Sequence, residues 1–169
     1  MSMKVIDTNV ILVANGQHPD VSPSCVTSCA LALQHVMKSG KLALDDGFQI
    51  LLEYQNKTQP KKGNRPGDAF VKWALNNQRN KKHVAQVTLV EHDERGFVSF
   101  PDDPELANFD APDRKFVAVS AAHPKKPPIS QAADSKWLNW SPALQRHGIT
   151  VDFLCPTDIQ RFHKKKFGV

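Results

Sequence analysis

The sequence predicts an α/β fold around a mostly parallel sheet, and three observations lead there. Short apolar runs of strand length alternate with longer segments whose apolar residues recur at helical spacing. The helical segments open at Ser, Asp or Thr, and two of them close at Gly, residues favoured at helix ends. No internal repeat or interdomain linker breaks the 169 residues, which fit one domain over 1–169 with a basic tail at 163–169.

The elements follow in order. Residues 4–7 read as a strand, with Lys4-Val5-Ile6 leading into Asp7. Ser22 caps a helix with Pro23 at its first position, where a missing N–H costs nothing. Val26, Ala30, Leu33, Val36 and Met37 recur along it, and Gly40 closes it. Residues 41–44 form a second short strand, after which Asp46 is expected to cap a helix carrying Phe48, Leu51, Leu52 and Tyr54. The polar loop "NKTQPKKGNRPG" ends that helix, and Asp68 is expected to cap the next, through Phe70, Val71, Ala74 and Leu75. Residues 84–90 alternate weakly, as in an edge or accessory strand, and 91–109 are acidic and irregular. Asp110-Ala111-Pro112-Asp113 opens a helix with Phe116, Val117 and Val119, and "PPISQAAD" carries a strand into Asp134. A helix through Trp137, Leu138 and Leu144 ends at Gly148, residues 149–154 form the last strand, and Thr157 caps a short final helix.

Composition narrows the classes. The chain is 40% hydrophobic and 23% charged, as in ordinary globular proteins. No apolar run approaches the ~18 residues of a membrane span, so no membrane partner is expected. The start lacks the basic-then-apolar pattern of a secretion signal, which points to the cytoplasm. The three cysteines, Cys25, Cys29 and Cys155, form no CxxC pair; core packing in a reduced compartment is their expected role. The formal charge of +5 gathers in clusters at Lys61, Lys62 and Arg65, at Arg79, Lys81 and Lys82, at Lys125-Lys126 and in the tail. Such clusters suit a polyanionic partner, nucleic acid first, although each also reads as a solvated loop.

Four carboxylates stand where chemistry is expected. Ligands of open α/β sheets bind beyond the carboxyl ends of the strands. Asp7 and Asp134 each follow a strand, Asp113 lies in the first turn of a helix, and Glu53 lies on the helix after the second strand. Taken singly, Asp113 suits a helix dipole, Asp134 a helix cap and Glu53 an exposed helix face. Converging, they would repel one another unless divalent cations neutralised them, and an oxygen-only donor set suits magnesium or manganese.

The ordered motifs "VIDTNVIL", "LLEYQN", "DAPDRKFVAVSAA" and "AADSKWL" resemble the PIN domain of metal-dependent nucleases. The matching positions are Asp7, Glu53, Asp113 and Asp134, over residues 4 to 154. The resemblance implies a three-layer sandwich, a parallel sheet flanked by helices, whose acidic cleft holds Mg2+ or Mn2+. It implies phosphodiester hydrolysis by metal-activated water, usually of RNA, with Asp7 as central metal ligand. Asp113 and Asp134 complete the metal set and Glu53 is the fourth catalytic acid. Thr8 and Asn9 would orient Asp7 or contact phosphate, and Ser135 would join that network. Lys61, Lys62, Arg65, Arg79, Lys81 and Lys82 are candidates to hold the nucleic-acid backbone. An antitoxin or other regulatory protein and a second copy of the chain are further candidate partners.

Competing readings are a non-catalytic PIN-like module that binds nucleic acid or protein, and a DNA nuclease. A haloacid-type phosphatase needs Asp-x-Asp, and here Asn9 stands at the second position. A dinucleotide site needs G-x-G-x-x-G after the first strand, which is missing. His92-Asp93-Glu94 reads as a solvated loop, and Trp137 and Trp140 read as core packing ahead of base stacking.

Overall fold

A computed structural model describes residues 2–168. In chain order the strands are β1 (Met3–Ile6), β2 (Lys41–Asp45), β3 (Val84–Val87), β4 (Glu91–His92), β5 (Gly96–Phe97), β6 (Ile129–Gln131) and β7 (Val151–Phe153). The helices are α1 (Thr8–Ala14), α2 (Pro23–Ser39), α3 (Gln49–Lys57), α4 (Pro66–Asn77), α5 (Arg114–Ala122), α6 (Lys136–Arg146) and α7 (Pro156–Phe167). Five strands form one wholly parallel sheet in the order β3-β2-β1-β6-β7, and β4 and β5 make a separate antiparallel hairpin. The fold is an α/β three-layer sandwich. Helices α1, α2 and α4 pack against one another, while α5 lies against β1, β2 and β6.

Both faces of the sheet are covered. Val5, Ile6, Leu42, Ala43, Leu44 and Ile129 are all buried, the continuous apolar run that a parallel sheet requires. One core cluster runs from Val5 to Cys155 and includes Phe70, Phe116 and Trp137. Trp137 meets Phe109 and Trp140 edge-on or tilted within that core, as packing predicts.

Several local expectations need correction. The apolar residues after Asp7 form α1, a helix too short to declare itself by periodicity. Asp45, and not Asp46, caps α3, accepting from the Gln49 and Ile50 N–H groups at 2.9 and 3.0 Å. Asp46 accepts a hydrogen bond from Thr88 instead. Asp68 does not cap α4. That helix begins two residues earlier at Pro66, and Asp68 is buried in its first turn. The last helix begins at Pro156, ahead of Thr157, and its twelve residues absorb the basic segment through Phe167; Val169 lies outside the described residues.

The cysteines also differ from expectation. Cys25 in α2 and Cys155, just ahead of α7, form a disulfide across 130 residues of sequence. Cys29 alone is a free buried thiol, pushed up to about 12 by burial and by the charge of Asp158. Sequence spacing carries no sign of this pair, because tertiary packing alone brings α2 and the start of α7 together. Among the described residues, no helix is long and apolar enough to cross a membrane.

Candidate metal centre

The chain leaves β1 for β2 on one side and later returns to β6 on the other. Strand order therefore reverses between β1 and β6, and the crevice beyond their carboxyl ends is the topological switch point. Asp7 is the first residue after β1, and Asp134 follows β6 closely.

Three consecutive side chains tie this rim together by reaching two other segments, α3 and the end of β6. Asp7 accepts from its own helix at the Asn9 N–H (3.0 Å) and from the Gln131 amide at the end of β6. The Thr8 hydroxyl donates to Glu53 on α3. The Asn9 side-chain carbonyl accepts from the Ala133 N–H at 2.7 Å, which fixes the turn that presents Asp134. Gln131 braces the same turn, its carbonyl oxygen accepting from the Ala132 and Asp134 N–H groups at 3.0 and 3.3 Å. Beside Glu53, the buried Tyr54 hydroxyl donates to the Ile6 carbonyl, locking α3 to the end of β1.

Against that rim, a 3-10 turn at Ala111–Asp113 brings in two more acids. Oxygens of Asp110, Asp113 and Asp134 lie within 4.8 Å of one another, close enough to share a cation. Asp7 is near enough for its neighbours' charge to act on it. Burial, then the negative charges of Asp113 and Asp134, push its carboxyl up to about 8, against the pull of its two donors. Burial, then Asp134 and Glu53, push Asp113 up to about 6, while Lys115 pulls the other way. Asp134 is raised by burial, with Lys136 and Lys166 opposing. Oxygen-only donors that resist losing their protons together are what a hard divalent cation relieves, so the residues present fit magnesium or manganese.

The expected residues do not all share one role. Asp113 and Asp134 converge, and Asp7 stands near enough to feel their charge without joining the group whose oxygens lie within 4.8 Å. Glu53 adjoins them but is held by Thr8 and by the Lys115 ammonium at 2.8 Å. Ser135 is buried at the start of α6, yet among the described residues its hydroxyl bonds to none of the acids. Asp110, expected only to open a helix, belongs to the acidic group and pairs with Lys136 at 2.9 Å. Its position three residues before Asp113 was the available signal, since that spacing puts two side chains on one side of a helical turn. Gln131 and Lys115 carried signals too: a lone amide at the end of a buried strand, and a buried cation at the start of a largely apolar helix.

The basic candidates are dispersed. Lys61 and Lys62 are exposed in the loop before α4, whereas Arg65 is engaged with Asp68 at 3.1 Å. Lys81 and Lys82 immediately precede β3, which puts them at the amino edge of the parallel sheet, opposite the acids; Arg79 and Lys81 line a cavity beside that strand. His92, in the β4–β5 hairpin, turns its Nδ1 to the Glu94 and Arg95 N–H groups, so the His92-Asp93-Glu94 run is a local turn.

No family model, curated protein or solved structure matches the chain.

Proposed function

We propose that the chain is a magnesium- or manganese-dependent nuclease of the PIN type that hydrolyses internal phosphodiester bonds, with RNA ahead of DNA as substrate. One observation carries this reading: oxygens of Asp113 and Asp134 lie together with Asp110 at the switch point of a parallel sheet, beside the buried Asp7 that feels their charge, and Asp7, Asp113 and Asp134 follow the order of the PIN-like motifs. A divalent ion bound there supplies positive charge to the phosphate and acidifies water.

The chain's own residues prepare that role. Asp7 is fixed by Gln131 and the Asn9 N–H, so its carboxylate needs no reorganisation when an ion arrives. Asn9 and Gln131 hold the turn that sets Asp134, while the 3-10 turn sets Asp110 and Asp113. Lys136 and Lys166 bring positive charge near Asp134, where a polyanion approaches. No side chain forms a bond to phosphorus in this reading: water adds across the P–O bond, and the leaving oxygen takes up a proton. A cytoplasmic location is part of the proposal. The Cys25–Cys155 disulfide runs against that location, since such bonds are rare in a reducing cytoplasm.

The test is cleavage of labelled single-stranded RNA and DNA with Mn2+, Mg2+ or EDTA, beside Asp7→Asn. Metal-dependent cutting that the variant lacks is expected. Binding without cutting by either protein would replace the nuclease with a nucleic-acid-binding module.

A further inference from the structure

We propose that the Lys115 ammonium stands in place of a second divalent cation, so that the acidic centre holds one ion; this rests on the nuclease reading above. Lysine is among the residues least often buried, yet Lys115 is only 9% exposed. It sits on α5 two residues after Asp113, beside Phe116, Val117, Ala118 and Val119, all fully buried. Its Nζ donates to Glu53 Oε1 at 2.8 Å and to the Pro112 carbonyl, in the turn that presents Asp113.

Glu53 is thereby engaged at both oxygens, one by Lys115 and the other by the Thr8 hydroxyl. To ligate a metal it would have to give up its charge-assisted bond to Lys115. Like Asp7 it lies outside the group whose oxygens are within 4.8 Å, formed by Asp110, Asp113 and Asp134, but whereas the donors on Asp7 are neutral, Glu53 is held by a cation. Asp113 feels the charges of Asp134, Glu53, Lys115 and Asp110. A second ion held by Asp113 and Glu53 would have to bind where the Lys115 ammonium already meets Glu53. Two-metal centres place their ions about 3.5–4 Å apart, and an ion that close to a buried ammonium meets strong like-charge repulsion. Lys115 therefore supplies permanently, as a single charge, part of what a second ion would bring to the phosphate.

The experiment counts manganese by calorimetric titration, checked by electron paramagnetic resonance, on the full chain and on Lys115→Met, Lys115→Arg and Glu53→Gln. Wild type and Lys115→Arg are expected to bind one ion, and Lys115→Met two. Cleavage by Lys115→Met should be slow at manganese that saturates the first ion and recover as manganese is raised about tenfold further. Asp113→Asn should not recover. Glu53→Gln should keep the single ion within about threefold of wild-type affinity, where loss of a ligand or its close support costs ten- to a hundredfold or more. Two ions in wild type would overturn the role of Lys115 and leave the nuclease reading standing. No ion in wild type would overturn both. One ion in a folded Lys115→Met, or a tenfold loss of affinity in Glu53→Gln, would also overturn the inference. The wild-type count decides even if Lys115→Met fails to fold.

Discussion

Asp7 and Asp45 hold the same place on neighbouring parallel strands. Each stands at a strand's carboxyl end, each is almost wholly buried, and each accepts from the first N–H groups of the helix that follows. There the likeness ends. Asp45 spends both oxygens on backbone N–H groups of α3 and closes a helix end, whereas Asp7 has one oxygen on the Asn9 N–H and the other on the Gln131 side chain across the rim. Burial, then the charges of Asp113 and Asp134, push Asp7 up to about 8 despite its donors. A buried acid with a full set of donors holds a fold together; one that faces other acids is strained until a cation joins it.

The largest expected effect follows from Asp7. Asp7→Asn should cut metal-dependent cleavage by at least about a hundredfold, since it removes the charge at the centre of the site. In EDTA near pH 8 the same variant should melt at or above the wild-type temperature, because it also removes a repelled, desolvated charge. Asp45→Asn should do the reverse, leaving cleavage in place while costing stability by about 1 kcal/mol, the scale of a lost helix cap. If both variants lost cleavage equally, the distinction between the two strand ends would fail.

Asp68 extends the comparison to a third buried acid. It accepts from Asn15 Nδ2, the Gln59 N–H and Arg65 Nε at 2.9–3.1 Å, and these donors hold its carboxyl below the usual range despite burial. Asp68→Ala leaves the buried Asn15 amide, just past α1, without its acceptor and frees the Gln59 N–H and Arg65, which should cost about 1–3 kcal/mol in urea unfolding. The backbone is fitted closely to this carboxylate: a Cβ on Gly63 would come within 2.0 Å of Asp68 Oδ2. Cleavage by the fraction still folded should be unchanged.

The pH dependence of stability separates the classes again. Asp7 is raised to about 8 and Asp113 to about 6, so between the usual carboxylate range and those values the native protein holds protons that the unfolded chain has released. Stability contributed by these two acids is therefore fully present at low pH and is lost as pH rises through about 6 and then about 8. In EDTA, the melting temperature should fall between about pH 5 and about pH 8. The fall should shrink in Asp7→Asn and in wild type with millimolar Mg2+. A melting temperature independent of metal at pH 8 would leave the acids without the cation that the proposed function requires.

The fold was legible wherever one physical cause dominated. Periodicity revealed α2, and Ser22, Pro23 and Gly40 marked its ends, because capping is a local matter of orphaned N–H and carbonyl groups. The choice between Asp45 and Asp46 was not legible, since two adjacent acids differ only in which one the pleat turns toward the next helix. The site was partly legible for the same reason. Asp7 and Asp134 announce themselves as acids at strand ends, and the PIN-like motifs add Asp113. The division of labour between Glu53 and Asp110 depends on two lysines, Lys115 and Lys136, whose pairing joins distant segments. The Cys25–Cys155 pair was hidden by the same kind of distance.

The smallest expected effect compares the two rims of the sheet. Sequence clustering makes Lys81 and Lys82 candidates for the nucleic-acid grip, yet they precede β3 at the amino edge, while Lys136 and Lys166 act on the acids at the carboxyl edge. Each phosphate contact on a single strand contributes about 0.7 to the slope of log affinity against log salt. Raising salt should weaken RNA binding by the wild type, and Lys81→Ala with Lys82→Ala should leave both that slope and the affinity within about twofold. Lys136→Ala should lower the slope by one contact, measured in Ca2+ or EDTA so that cleavage does not intrude. If the Lys81 and Lys82 pair instead lowered the slope by about 1.4, the strand would have to pass around the exposed edge of β3 to reach the far rim. The cavity lined by Arg79, Lys81 and Gln86 would then be part of its path.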